Sequence, residues 1–126
     1  MKILLDSWVW IEIFKGTAVG IRLAEQMRKT PGENVFTTSA NLFEVCYRIK
    51  EDYGEEKAKQ LQAFIENRST VLSVDKTVAL TAVEIRLKEG LRAIDAFTLA
   101  AARLQQAKVF TGDEHFKGLK DVVFFD

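Results

Sequence analysis

The sequence predicts an α/β protein, a single domain over residues 1–126 built as a three-layer α/β/α sandwich around a central parallel sheet. Short, continuously apolar runs such as Ile3 to Leu5 are typical of strands buried on both faces. Longer segments with apolar residues at helical spacing separate these runs, and this alternation favours a parallel sheet covered by helices. A length of 126 residues suits one domain with a real core and is too short for two.

In the first half of the chain, caps and stop signals set the limits of the predicted helices. The predicted strands are Ile3 to Leu5 and Val35 to Thr37. The predicted helices are Trp8 to Phe14 (capped by Asp6 and Ser7, ended by Gly16), Val19 to Arg28 (ended by Thr30-Pro31-Gly32), about Ala40 to Asp52 (capped by Ser39 or Thr38, ended by Tyr53-Gly54) and Glu55 to Asn67.

In the second half, β-branched and apolar residues predict three more strands. These strands are Thr70 to Val74, Val109 to Thr111 and Val122 to Phe125. The predicted helices are one capped by Asp75 that runs to about Lys88 before Gly90, one over Ile94 to Gln106, and a short one over Glu114 to Leu119. The helix that contains Asp95 is apolar on nearly every side, which predicts that it is buried.

Charge and cysteine content narrow the possible functions only modestly. Lys+Arg and Asp+Glu both count 18, so the net charge gives no sign of a nucleic-acid binder. Cys46 is the only cysteine, which excludes an intrachain disulfide and favours a reducing compartment, with Cys46 as a small buried apolar residue. The longest apolar region, Ile3 to Phe14, is interrupted by Asp6 and Glu12 and is too short to span a bilayer. We therefore expect a cytoplasmic protein with no signal peptide and no membrane segment.

Four acidic residues lie at the edge of, or inside, apolar stretches: Asp6, Glu44, Asp95 and Asp113. Taken singly, Asp6 and Asp113 suit helix caps, and Glu44 suits an exposed face. Asp95 is harder to explain, since a helix dipole stabilises a carboxylate by about 0.3–1 kcal/mol. Burying an unpaired charge costs several kcal/mol. One shared site explains all four acids more economically than four separate coincidences.

The predicted topology supports such a shared site. In open parallel sheets, ligands bind beyond the carboxyl ends of the strands, and Asp6 and Asp113 both follow strands at that end. Clustered carboxylates repel one another unless a cation lies between them. Carboxylate oxygens suit a hard cation such as Mg²⁺ or Mn²⁺. The sole histidine, His115, and Cys46 cannot build a zinc site of the usual kind.

These residues, in this order, resemble the PIN-domain ribonucleases, and most closely the small VapC-type toxins of toxin–antitoxin pairs. The resemblance runs from near Lys2 to Phe125. Ile94 before Asp95 is a mild departure, since many relatives carry a small or polar residue there. The segments that carry the resemblance are Leu4-Leu5-Asp6-Ser7, Thr38-Ser39-Ala40-Asn41-Leu42-Phe43-Glu44-Val45, Leu91-Arg92-Ala93-Ile94-Asp95-Ala96-Phe97-Thr98-Leu99-Ala100 and Phe110-Thr111-Gly112-Asp113-Glu114-His115-Phe116.

The resemblance implies hydrolysis of RNA phosphodiester bonds by metal-activated water, with one or two Mg²⁺ or Mn²⁺ ions. The four acids are the expected ligands, directly or through water. Thr111, and with less support Ser7, are expected to hold a ligand or a water in place. The resemblance also implies a homodimer and a cognate antitoxin protein, which would bind a groove near the acids.

Contacts with RNA are weakly indicated. Basic residues near the acids in sequence are the candidates for binding phosphates, although a solvated charge or a counter-ion explains each of them more readily. We expect Trp8 and Trp10 in the core, Phe43 and Tyr47 on a packing or dimer surface, and His115 exposed and not needed as a general base. The basic candidates are Lys15, Arg48, Arg92 and Lys117.

Other functions remain open at this stage. A housekeeping PIN-type nuclease in RNA processing has the same acids and is the nearest alternative. A phosphoacceptor receiver domain also binds Mg²⁺ at strand ends, but it needs adjacent acids after the first strand, where this chain has Ser7 and Trp8 after Asp6. A silent interaction module on the same fold would lack one or more of the acids, and all four are present.

Overall fold

The computed structural model describes all 126 residues, which form five strands, six α-helices and two short 3₁₀ helices. The strands are β1 (Ile3–Leu5), β2 (Val35–Thr38), β3 (Thr70–Leu72), β4 (Lys108–Thr111) and β5 (Val122–Phe124). The α-helices are α1 (Ser7–Lys15), α2 (Ala18–Lys29), α3 (Ser39–Tyr53), α4 (Glu55–Arg68), α5 (Lys76–Glu89) and α6 (Ala93–Leu104). The 3₁₀ helices are Gly32–Asn34 and Glu114–Phe116.

The strands form one parallel sheet in the order β3-β2-β1-β4-β5. β1 lies at the centre, with β2 on one side and β4 on the other. The chain therefore builds outward from β1 in one direction and later returns to build outward in the other. This reversal of strand order opens a crevice at the carboxyl ends of β1 and β4.

Successive residues of β1 point to opposite faces of the sheet, and each face has its own core. Ile3 and Leu5 pack in a cluster with residues of α1 to α4, whereas Leu4 packs with residues of α5 and α6. All three side chains are at most 1% exposed. This arrangement confirms the predicted three-layer α/β/α sandwich.

Most predicted limits agree with the structure to within one or two residues, and the exceptions have local causes. β3 ends at Leu72, where its partner strand β2 ends opposite it. α6 ends at Leu104 rather than Gln106, because Gln106 has φ 58°, which an α-helix does not admit. The predicted helix from Glu114 is only a 3₁₀ turn ending at Phe116.

Helices α1 and α2 approach each other closely at Gly20. A Cβ atom at this position would lie 2.1 Å from the backbone oxygen of Glu12 in α1, well inside any real contact. Only glycine allows the two backbones this near, so the sequence at position 20 sets the distance between the helices.

No helix of the chain has both the length and the apolar character needed to cross a membrane.

Candidate active site

Two of the predicted acids meet because their strands are neighbours. Asp6 directly follows β1, and Asp113 lies two residues beyond the end of β4. The parallel register that pairs Leu5 with Phe110 brings both chain segments to the same edge of the sheet. Asp6 is only 4% exposed, and its Oδ1 accepts a hydrogen bond from the Val9 N–H as the N-cap of α1. Asp6 therefore caps α1 as predicted, and this cap uses only one of its two carboxylate oxygens.

Thr111 connects these two acids. Its hydroxyl donates to Oδ2 of Asp6 at 2.6 Å and accepts the backbone N–H of Asp113 at 3.0 Å. The Thr111 side chain is fully buried, so both hydrogen bonds are shielded from water. A single hydroxyl thus fixes the position of the Asp6 carboxylate relative to the turn that carries Asp113.

Asp95 lies in the first turn of α6 and carries the one unsatisfied oxygen among the buried side chains. Its Oδ2 is buried and has no hydrogen-bond partner. Burial raises the pKa of Asp95, the Asp113 and Glu44 carboxylates raise it further, and Arg92 and His115 lower it. A buried carboxylate oxygen without a partner costs free energy, which a bound cation or donor would recover.

Burial also raises the pKa of Asp6, to about 7. The hydrogen bonds from Thr111 and Val9 act in the opposite direction, and the charges of Asp113 and Asp95 add to the increase. Asp6, Asp95 and Asp113 therefore interact electrostatically as one group. Without a cation, Asp6 and Asp95 hold their protons to higher pH than isolated carboxyls would.

Glu44 belongs to the same region but stands slightly apart. It lies in the second turn of α3, is half-buried, and lines a cleft of about 210 Å³ with Arg92 and Asp95. Arg48, one turn further along α3, forms no ion pair with Glu44. Glu44 thus faces Asp95 across the cleft.

The tightest group of possible metal ligands contains a residue that the sequence reasoning set aside. Ligand atoms of Asp95, Asp113 and His115 all lie within 4.8 Å of one another. His115 is exposed, as expected, but its Nδ1 lies 2.7 Å from Oδ1 of Asp113. The sequence signal that could have identified His115 is its position two residues after an acid in a tight turn.

A buried network joins the three helices that carry or follow the acids. The Asn41 amide donates to Ser7 Oγ in α1 and to Thr98 Oγ1 in α6, both at 3.1 Å, while its oxygen accepts from Thr38. Ser7 therefore accepts a hydrogen bond from Asn41, and its expected role in holding a ligand or a water stays a prediction. Asn41 and Thr98 were missed, although each lies three residues from an acid in its own helix, Glu44 and Asp95.

The donor set fits a hard divalent cation. Asp6, Asp95 and Asp113 present carboxylate oxygens from three separate elements, and one of these oxygens lacks any partner. A cation at this edge would offset both the mutual repulsion and the unpaired oxygen. Mg²⁺ and Mn²⁺ match these ligands.

Comparison with known proteins gives the family. The family model described as the PIN domain matches residues 3–122, nearly the whole chain. This chain belongs to the PIN domain family. PIN domains are nucleases, and no curated protein matches this one.

Experimentally determined structures share the fold of this PIN domain. A toxin–antitoxin complex from Klebsiella pneumoniae is 20% identical, with a TM-score of 0.78 and 97% and 96% of the two chains covered. VapBC2 from Rickettsia felis, bound to a promoter DNA fragment, is 15% identical, with a TM-score of 0.80 and 100% of both chains covered. Mycobacterium tuberculosis VapC20, a sarcin–ricin loop cleaving toxin, is 17% identical, with a TM-score of 0.74 and 99% and 90% covered.

The four basic candidates occupy different positions in this PIN domain. Arg92 is exposed and lines the cleft beside Asp95. Lys117 places its Nζ 5.3 Å from the centre of the Phe124 ring, and Arg48 is exposed on α3. Lys15 is the last residue of α1, and Asp6 caps the other end. The helix length of roughly 13 Å separates them, so nearness in sequence was misleading for Lys15.

Proposed function

We propose that this PIN domain is a Mg²⁺- or Mn²⁺-dependent endoribonuclease and the toxin of a toxin–antitoxin pair. The observation that carries the proposal is the unpartnered, buried Oδ2 of Asp95, which lies in a group with Asp113 and Asp6. A stable protein places such an oxygen where a ligand completes it. The family, the position at the carboxyl edge of the sheet and the acidic donors all support phosphodiester chemistry.

The residues of this chain have distinct roles in the proposed reaction. Asp6, Asp95 and Asp113 would hold the cation, and Glu44 would complete the site from across the cleft, directly or through water. A bound Mg²⁺ or Mn²⁺ supplies Lewis-acid activation of the attacking water and stabilises charge on the phosphate. Thr111 keeps Asp6 and the Asp113 turn at a fixed separation, so the ligands are preorganised before substrate binds.

Arg92 is the proposed phosphate contact. Its position at the N-cap of α6 places a permanent positive charge at the mouth of the cleft that holds Asp95. A guanidinium group binds phosphate oxygens through paired donors, which orients the scissile bond as well as attracting it. Arg48 and Lys117 do not line this cleft and are the weaker candidates.

The assignment as a toxin draws on the comparisons with known structures. The structural neighbours include toxin–antitoxin complexes whose chains this one covers almost end to end. One neighbour is described as cleaving the sarcin–ricin loop, which is RNA, and this supports RNA as the substrate class.

Exposed apolar surface supports the proposed protein partners, a cognate antitoxin and a second copy of the chain. Phe43 and Tyr47 on α3 are 65% and 55% exposed, with their rings stacked 6.1 Å apart. On α5, Leu80, Val83 and Leu87 form a second exposed stripe, with Leu87 76% exposed. Contiguous apolar surface of this kind marks protein contacts.

Cleavage of RNA by tag-free protein tests the proposed function. The wild type, with Mg²⁺ or Mn²⁺, should cut a mixed single-stranded RNA and lose all activity in EDTA. Asp95→Asn should lower the rate by at least about 100-fold, because it removes a charged ligand while keeping the side-chain shape. Asp75→Asn is the matched control, because it is the same substitution at the cap of α5, at a residue whose charge affects the pKa of neither Asp6 nor Asp95.

Two outcomes would contradict the proposal. Undiminished cleavage by Asp95→Asn would remove Asp95 from the site. Cleavage that persists in EDTA would show that the reaction does not need a divalent cation. A matched DNA strand in the same assay establishes the preference for RNA, and equal cutting of both would overturn the RNA assignment.

A further inference from the structure

His115 is the only histidine of the chain and is held tightly against Asp113. Oδ1 of Asp113 accepts from the backbone N–H of His115 at 2.9 Å and lies 2.7 Å from its Nδ1. Neither Nε2 of His115 nor Oδ2 of Asp113 takes part in a hydrogen bond. Nε2 of His115 and Oδ2 of Asp113 therefore keep free lone pairs, and both residues belong to one close group with Asp95.

We propose that His115 is a nitrogen ligand of the metal centre and makes it selective for Mn²⁺ over Mg²⁺. This inference rests on the proposed function, since it concerns the same site. Asp95, Asp113 and His115 are the one group of three side chains whose ligand atoms all lie within 4.8 Å. Asp6 lies outside this close group, and each of its carboxylate oxygens accepts one hydrogen bond, from Val9 or Thr111, and keeps a second lone pair.

The chemistry of the donor determines the selectivity. Mg²⁺ requires oxygen ligands in near-ideal octahedral geometry and gains little from imidazole. Of the two ions only Mn²⁺ is a transition metal, and transition metals accept imidazole nitrogen more readily than Mg²⁺ does, so replacing one oxygen by His115 favours Mn²⁺ over Mg²⁺. If His115 only oriented Asp113, its loss would weaken both cations by the same factor.

Electron spin echo spectroscopy of Mn²⁺ bound to the tag-free protein tests the proposal without any turnover. Because the chain has a single histidine, modulation from an imidazole nitrogen can come only from His115. We expect ¹⁴N modulation in the wild type, its replacement by the ¹⁵N pattern after labelling with ¹⁵N-histidine, and its loss in His115→Asn. Bound Mn²⁺ without imidazole modulation would overturn the proposal.

Calorimetric titration of the metal-free protein with each cation gives the second measurement. His115→Ala should weaken Mn²⁺ binding by at least about tenfold and Mg²⁺ binding by less than about threefold. His115→Asn retains a side-chain amide that can donate to Asp113, so it separates loss of a ligand from loss of support for Asp113. Equal weakening of both cations in both variants would show that His115 only positions Asp113.

These measurements distinguish failure of the inference from failure of the proposed function. A wild type that binds Mn²⁺ and cuts RNA, with unchanged selectivity in both His115 variants, would reject the ligand role and leave the nuclease intact. A wild type that binds neither cation would reject both. Folding of each variant is checked by its melting temperature in EDTA, where no metal contributes.

Discussion

Asp6 shows how one residue serves structure and chemistry at once. Its Oδ1 caps α1, and its Oδ2 accepts a hydrogen bond from Thr111. Burial raises its pKa from 3.8 to about 7. Between about pH 4 and 7 the folded protein keeps a proton that the unfolded chain has lost, so the free energy of unfolding falls as pH rises through that range.

We therefore expect the metal-free wild type to lose roughly 2–4 kcal/mol of stability between pH 5 and pH 8, and Asp6→Asn to lose much less. Asparagine retains an oxygen for the Val9 N–H and has no charge to bury. Urea unfolding in EDTA at the two pH values measures the effect. Equal losses in the two proteins would show that Asp6 is not the titrating group.

Thr111 offers a second prediction for a single residue. Thr111→Val keeps the shape but leaves Oδ2 of Asp6 and the N–H of Asp113 without partners. We expect a decrease of about 1–3 kcal/mol in the free energy of unfolding, because unsatisfied buried groups keep their desolvation cost. Thr111→Ser retains the hydroxyl and should lose less than Thr111→Val. Similar losses in urea unfolding would contradict this role.

At the scale of elements, the limits of strands and helices were largely predictable, because caps and breakers act locally. Asp6, Asp75, Gly16 and Gly90 each perform the capping or ending role expected of them. Contacts between elements were harder to predict. Nothing local to Asn41 indicates that its amide reaches Ser7 and Thr98, since that depends on how three helices pack.

The contact between α1 and α2 gives a prediction at this scale. Gly20→Ala should lower the free energy of unfolding by about 1–3 kcal/mol or more, because the new methyl group would overlap the Glu12 backbone and force the helices apart. Gly32→Ala is the control, since a Cβ there meets no atom within 4 Å. Thermal unfolding compares the two variants. Equal melting temperatures would show that α1 and α2 can move apart without a loss of stability.

For the whole molecule, expression in bacteria separates the toxin from a housekeeping nuclease. Induction of the wild type alone should arrest growth within about one generation, whereas Asp95→Asn at the same protein level should not. The physical reason is that cleavage needs the unpartnered carboxylate, whereas folding does not. Normal growth with active wild-type nuclease present would favour the housekeeping role.

The fold and the proximity of the acids were predictable from order along the chain, since parallel strands collect their carboxyl-terminal residues at one edge. The relative positions of the acidic side chains within the site were not predictable from the sequence. The sequence treats the four acids alike, yet the structure groups Asp95 and Asp113 with His115 and leaves Glu44 across a cleft. Such differences depend on side-chain packing over distances that no local pattern records.

The bond between Thr111 and Asp6 spans 105 positions and joins the last part of the domain to the first. During translation, Asp6 leaves the ribosome long before Asp113 exists. A partly synthesised chain that lacks Thr111 and Asp113 therefore has an incomplete set of acids. Because Asp6 and Asp113 lie at opposite ends of this domain, the acidic group can assemble only after residues 1–113 have been made.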